Sequence, residues 1–213
     1  MKKNKRKLKK GTKRIIIIFV VIIVLAGIIY YLINNFTGKE KNTVRVIDEN
    51  KEYGYVLEEN ETNLYKDLFK KLKKVLSKDE IDEKEYAELI CKLFVSDFYN
   101  LDNKITKNDV GGTQFIHSNA KENFLLKAKD TFYKGIESNV YGDRTQKLPV
   151  VTDIILKDIK EDTFTIGDEK VNSYIVNLKW QYKINLDYET EKQFILVKED
   201  KKLSIVQMND IEE

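Results

Sequence analysis

An uninterrupted apolar run near the start of the chain predicts a membrane-spanning helix. Residues 15–33 contain no charged side chain, and two asparagines follow them. At about 1.5 Å of rise per residue, a helix of this length crosses most of a hydrocarbon core of roughly 30 Å. In lipid, a helix satisfies its backbone hydrogen bonds within its own segment. We therefore expect a transmembrane helix over residues 15–35, with Ile15 and Ile33 near its two ends.

Beyond this span, apolar positions recur with the period of an α-helix. Leucines at every fourth position from Leu64 to Leu76 form one stripe on a helix that is otherwise rich in lysine. This lysine-rich helix could pack on a core or lie on a lipid surface. A second helix is predicted to run to about Leu101, behind the capping-box sequence Ser77-Lys78-Asp79-Glu80.

Two further segments complete the first half of the chain. Residues 36–60 contain two short apolar runs around a turn-prone sequence, which predicts an extracytoplasmic stem or a small hairpin. A third helix is predicted after a polar, glycine-containing loop. Its cap is expected at Ser118 or Asn119, and its end near residue 138.

From Leu148 onward the apolar period changes to two, which is typical of strands. The longest alternating run extends from Tyr174 to Ile184. Other runs lie at 149–159, 162–166, 191–199 and 202–209. Helices followed by a strand meander predict an α+β domain over residues 61–213, in which the helices cover one face of an antiparallel sheet.

The charge distribution predicts the orientation of the span. Nine of the 38 basic residues and no acidic residue precede Ile15, which leaves 29 basic against 35 acidic residues and a formal net charge of −6. Basic residues beside a span favour the cytoplasmic side of the plasma membrane. Those nearest the span are Lys9, Lys10, Lys13 and Arg14. We expect residues 1–14 to be a cytoplasmic tail on anionic headgroups, with the domain outside the membrane.

Other interpretations of the N-terminus fit less well. The apolar run of a cleaved signal peptide is usually shorter and ends at small residues, whereas this one ends in Ile-Ile-Tyr-Tyr-Leu-Ile. A lipoprotein needs a cysteine just after the run, and the one cysteine of the chain is Cys91. The basic tail lacks the interleaved aromatic residues of a nucleic-acid-binding segment. An uncleaved single-span anchor is preferred, and nucleic acid is not expected as a partner.

The sequence offers few candidates for catalysis. The one histidine, His117, falls in a predicted loop, without a recognisable nucleophile or carboxylate partner. No zinc, phosphate-loop or dinucleotide motif occurs, so we expect no metal and no cofactor. A non-enzymatic role is preferred, but an enzyme stays open because carboxylate-based sites leave little trace in a sequence. If the domain has a pocket, Tyr174, Trp180 and Tyr182 are its candidate walls and Asp153 a candidate base. Otherwise these aromatic residues form part of the core.

The order of these elements resembles a known family. An anchor, three helices with apolar faces around Leu68, Phe94 and Phe132, and a sheet that contains the strand Tyr174–Ile184 are similar to the nuclear-transport-factor-like cone fold. Single-span assembly subunits of type IV secretion and conjugation systems carry such domains. The resemblance implies three helices on a curved, four-stranded sheet. It also implies an extracytoplasmic scaffold that contacts other membrane proteins or copies of itself.

The same resemblance leaves a second function open. Cone folds also serve isomerases, dehydratases and small binding modules, so the fold alone does not select a role. The alternative to a scaffold is therefore a small-ligand-binding or enzymatic domain tethered to the membrane.

Overall fold

The computed structural model describes residues 19–29 and 45–211 of the chain. Residues 19–29 are helical and carry exposed apolar side chains. Within these two described stretches, no helix has both the length and the apolar character that crossing a bilayer requires. The remainder of the predicted anchor, with Ile15 and Ile33, lies outside the described residues. So do the basic residues Lys9, Lys10, Lys13 and Arg14.

The chain from Arg45 onward forms one compact unit. A hairpin comes first, with antiparallel strands β1 (Val46–Asn50) and β2 (Tyr55–Glu58). Three helices follow, namely α1 (Asn63–Leu76), α2 (Glu83–Phe98) and α3 (Ser118–Asp130). The remaining strands are β3 (Val151–Ile166), β4 (Glu169–Tyr182), β5 (Glu191–Glu199) and β6 (Lys202–Asn209). The predicted α+β class is confirmed.

Strands β3 to β6 form a four-stranded antiparallel sheet in chain order. This arrangement confirms the predicted sheet of about four strands. The runs predicted separately at 149–159 and 162–166 belong to one strand, β3. Lys160 and Glu161 interrupt the apolar pattern between them, but both continue the ladder with β4. Charged side chains are tolerated there because backbone pairing does not depend on the side chain.

Helix α2 lies at the centre of the core. Eleven of its sixteen residues are buried, and it packs on α1 and on strands of the sheet. A helix that is apolar on most sides is typical of such an enclosed position. The face of the sheet toward α2 contributes Val176, Leu178 and Trp180, each at most 1% exposed. The Trp180 ring lies 4.4 Å, centroid to centroid, from the Tyr99 ring at the end of α2.

Helix α1 turns its apolar stripe inward. Leu68, Phe69 and Leu72 on this stripe are buried in the same core as α2. The lysines of α1 lie mainly on the remaining surface of the helix. Because its apolar face is already packed against protein, α1 has no exposed apolar face to place on lipid, and that interpretation of the helix is wrong.

The start of α2 differs from the predicted capping box. The Asp82 carboxylate accepts hydrogen bonds from the backbone N–H groups of Lys84 and Glu85, at 3.0 and 3.1 Å, so α2 begins at Glu83. Ser77 caps the end of α1, and its hydroxyl donates to the Lys74 carbonyl at 2.9 Å. The predicted role of Ser77 is wrong because its side chain already serves the preceding helix.

The cap of α3 also differs from the predicted one. His117 precedes the helix, and its Nδ1 accepts a hydrogen bond from the Asn119 N–H at 3.2 Å. An imidazole nitrogen thereby replaces the oxygen acceptor expected from Ser118 or Asn119. Helix α3 ends at Asp130 rather than near residue 138, and the Thr131 hydroxyl donates to the Lys127 carbonyl at 2.7 Å.

Replacing Trp180 with alanine should test the importance of the core. Since Trp180 is 1% exposed, we expect Trp180→Ala to lower the free energy of unfolding by about 3–5 kcal/mol. Urea unfolding of the full-length chain in detergent, followed by far-UV circular dichroism, measures this change. Ile155→Ala is the control, because Ile155 is 43% exposed and its truncation should cost about 1 kcal/mol or less. Equal losses for the two variants would contradict the assignment.

Candidate functional site

A groove of about 640 Å³ lies between α3 and β6. Its floor is apolar and includes Phe98, Phe124, Ile205 and Met208. Its rim is polar, and the α3 side consists of Asn119, Asn123, Lys127 and Thr131. An apolar floor with a few polar groups around it is typical of a binding site.

The helical period explains the polar rim. Asn119, Asn123, Lys127 and Thr131 are spaced by four residues, so along α3 they form one continuous stripe. Phe124 and Ala128 occupy the adjacent stripe and turn toward the core, where Ala128 is 4% exposed. Helix α3 is therefore fixed by one stripe, and the neighbouring stripe is available to a ligand.

The other wall of the groove is the edge of the sheet. Strand β6 pairs with β5 on one side, and near its start Ile116 pairs with Ile205 on the other side as a parallel bridge. In this bridge the His117 N–H donates to the Ile205 carbonyl at 3.0 Å. Beyond Ile205, the outer edge of β6 forms no backbone hydrogen bond with any other part of the described chain. An uncovered strand edge readily pairs with another segment.

Three charged residues line the groove, namely Lys127, Glu189 and Lys192. Lys192 is 16% exposed at its side chain and forms ion pairs with Glu189 at 2.5 Å and with Asp210 at 2.7 Å. Burial lowers its pKa, but the hydrogen bonds that its ammonium donates to these carboxylates, together with their charges, outweigh burial and raise the pKa. Lys127 on α3 is exposed and forms no ion pair with a described residue. The groove thus has one neutralised cation and one that is available to an anion.

The predicted pocket residues lie elsewhere. Trp180 is buried in the core, and Tyr174 and Tyr182 are half-buried on the same strand. None of the three lines the groove, although the Tyr182 hydroxyl donates to the Glu189 carbonyl at 2.9 Å. Asp153, the candidate base, is exposed on β3. A role for these residues as pocket walls stays a prediction. The four-residue spacing of polar residues in α3 is a sequence signal for one wall of the groove, but it does not indicate the opposite wall on β6.

A second polar feature is buried under the loop between α2 and α3. The Asp97 carboxylate accepts hydrogen bonds from the Lys104 ammonium and, at 2.6 Å, from the Gly112 N–H. Burial lowers the pKa of Lys104, but the charge and hydrogen bond of Asp97, together with the nearby Tyr133 and Glu61, outweigh burial and keep the pKa above its ordinary value. Gly112 has a φ of +71°, and a Cβ there would lie 2.6 Å from Phe94, so the loop needs glycine at this position.

Glu61 adds an unpaired acid to this buried polar feature. Its side chain is 8% exposed, and Oε2 has no hydrogen-bond partner among residues 45–211. Burial, and then the nearby Asp97 charge, raise its pKa to about 8, so the carboxyl is mostly protonated at neutral pH. Glu58 and Asp109 add to this shift, and Lys104 opposes it. Nowhere in the described chain do three potential metal-ligating side chains converge.

Comparisons with protein-family models, with curated proteins and with solved structures give no match. The resemblance to the cone-fold family therefore stays a prediction based on the order of elements.

Replacing Glu61 should change how stability depends on pH. Its pKa is raised from 4.5 to about 8 in the folded state, so the contribution of Glu61 to wild-type stability falls as the pH rises from 4.5 to 8. Glu61→Gln removes this loss. We expect the variant to be more stable than wild type by roughly 3 kcal/mol at pH 7 and nearly equal to it at pH 4.5.

Urea unfolding of both proteins across this pH range measures the difference. Glu59→Gln is the matched control, because Glu59 is exposed in the same segment and its replacement should leave the pH dependence unchanged. A constant difference between Glu61→Gln and wild type at all pH values would contradict the buried, protonated carboxyl.

Proposed function

We propose that the chain is a single-pass, membrane-anchored interaction protein. Its N-terminus lies in the cytoplasm, and its α+β domain lies outside the plasma membrane, where it binds a partner protein in the groove between α3 and β6. The observation that carries this proposal is the groove, because it combines an apolar floor, a polar rim and an uncovered strand edge.

The membrane anchor is supported by the chemistry of the N-terminal segment. Residues 15–33 are apolar, and the nine basic residues before them match the cytoplasmic flank of a span. The described part of this segment, residues 19–29, is a helix with exposed apolar side chains. In water such a surface is unfavourable, whereas hydrocarbon would cover it.

A scaffold role follows from joining an anchor to a binding domain. Confinement to one membrane raises the effective concentration of partners, so modest contacts in the groove would be sufficient for assembly. Helices followed by a four-stranded antiparallel sheet also fit the outline of a cone-fold domain. We therefore favour a subunit of a secretion, conjugation or other cell-envelope complex, which contacts other membrane proteins or further copies of itself.

The size of the groove favours a second candidate function. At about 640 Å³ it falls within the range of roughly 300–1,000 Å³ that is common for small-molecule sites. A tethered small-ligand-binding or enzymatic domain is therefore the alternative. It differs from the first proposal in needing no partner protein at the rim.

Cysteine labelling tests the proposed topology. Tyr141 is 90% exposed, so Tyr141→Cys should react with a membrane-impermeant maleimide on intact cells. Wild type is the built-in control, since its one cysteine, Cys91, is fully buried. Lys7→Cys in the tail should react only after permeabilisation. Labelling of Tyr141→Cys only in permeabilised cells would reverse the proposed orientation.

Photo-crosslinking tests the proposed partner site. We expect a benzoylphenylalanine in place of Asn123, on the rim, to give discrete protein adducts in native membranes. The same group in place of Thr163, which is exposed on β3 outside the groove, should give none. A second change, Ala120→Trp, should fill the groove and remove the adducts. Equal adduct yields at the two positions, or none at Asn123, would argue against a protein partner in the groove.

A further inference from the structure

We propose that the groove takes an extended segment of a partner polypeptide as an added strand beside β6. The segment places an apolar side chain on the groove floor and an acidic side chain at Lys127. This inference rests on the proposed function, because it names the kind of partner that the same site binds.

The backbone edge of β6 can accept an added strand. The protein's own chain already uses this edge, since Ile116 pairs with Ile205 in a parallel bridge. The chain then turns away into α3, and the edge from Val206 to Asn209 is left without a backbone partner in the described structure. An extended peptide continues this pairing where Ile116 ends it. Addition of a strand to a free sheet edge is a recurring mode of peptide recognition.

The wall that faces this edge is the polar stripe of α3, and it can bind the other side of an added strand. A strand added beside β6 has a second edge of its own, and that edge also needs hydrogen-bond partners. Asn119 and Asn123 offer amide groups that both donate and accept, and Thr131 offers a hydroxyl. The polar stripe of α3 can therefore satisfy the far edge of the added strand. The Thr131 hydroxyl already donates to the Lys127 carbonyl, so toward the added strand it acts as an acceptor, whereas a purely apolar occupant would displace water from the two amides without replacing its hydrogen bonds.

The groove floor and Lys127 determine which side chains the added strand should carry. Along an extended segment, alternate side chains point to opposite sides, so one set would face the floor formed by Phe98, Phe124 and Met208. This floor suits an aromatic or branched aliphatic side chain. Lys127 lies on the rim without an ion-pair partner among residues 45–211, whereas Lys192 is already paired with Glu189 and Asp210. A carboxylate of the segment complements Lys127.

Peptide selection tests this inference without a known partner. Random heptapeptides displayed on phage are selected on the full-length chain in lipid nanodiscs, after counter-selection on empty nanodiscs. We expect selected peptides to combine an aromatic or branched aliphatic residue with Asp or Glu. The best peptide is then synthesised in an unmodified, plain form and in two N-methylated forms. One of these carries backbone N-methyl groups at the odd-numbered residues, and the other carries them at the even-numbered residues. Since N-methylation removes donors of strand pairing, we expect it to weaken binding at least tenfold in one of the two alternating patterns.

Two lysine variants provide matched controls. Lys127→Glu should weaken binding of the acidic peptide by roughly fivefold or more. A peptide with Lys in place of the acidic residue should recover affinity for the Lys127→Glu variant. Lys121→Glu changes the same charge at an exposed position of α3 that does not line the groove, and it should leave affinity unchanged. Circular dichroism of both variants verifies that they are folded.

Three results would overturn the inference. They are a selection without enriched peptides, equal affinity for the plain peptide and both N-methylated forms, and equal effects of Lys127→Glu and Lys121→Glu. If any of these results occurs while position 123 still gives crosslinks, only strand addition is rejected, because a partner would still bind the groove. Failure of both experiments would reject the proposed function as well.

Discussion

Enclosure of α2 by α1 and the sheet is the constraint on which the rest of the domain depends. The residues that α2 buries face in several directions, so its position is fixed from more than one side. Phe94 shows this directly, since its ring contacts Phe98 along the helix, Phe124 of α3 and Phe194 of β5. Close-packed interiors of this kind tolerate little change in volume. The remaining elements are arranged around this helix.

The same helix determines the shape of the groove. Phe98 closes α2 and forms part of the groove floor, and the Tyr133 hydroxyl donates to its carbonyl at 2.7 Å. The Tyr133 hydroxyl also accepts a hydrogen bond from the Gly111 N–H at 3.1 Å, beside the buried Asp97 and Lys104 pair. Core packing, the buried ion pair and the groove are therefore one connected set of contacts. Substitutions far from the rim can alter the groove through this set.

Local periodicity was enough to predict the α+β class and the four-stranded sheet, because helices and strands leave a repeating pattern in the sequence. It failed where two residues compete for one role, as Ser77 and Asp82 do at the start of α2. It also failed for the groove, whose walls α3 and β6 lie far apart in sequence and meet only in the fold. Trp180 illustrates the same limit, since a large aromatic residue fits a core and a pocket wall equally well.

The N-terminal hairpin has a mechanical consequence. The Tyr55 hydroxyl lies 2.6 Å from the Tyr86 hydroxyl of α2 and donates to the Leu203 carbonyl of β6 at 3.2 Å. Tyr55 thus fastens the second strand of the hairpin, β2, to α2 and to β6. Tension applied through the preceding chain would first reach β1 and its pairing with β2, then this hydroxyl pair, and only then the four-stranded sheet. The hairpin would therefore have to detach from α2 and β6 before the sheet itself was pulled apart.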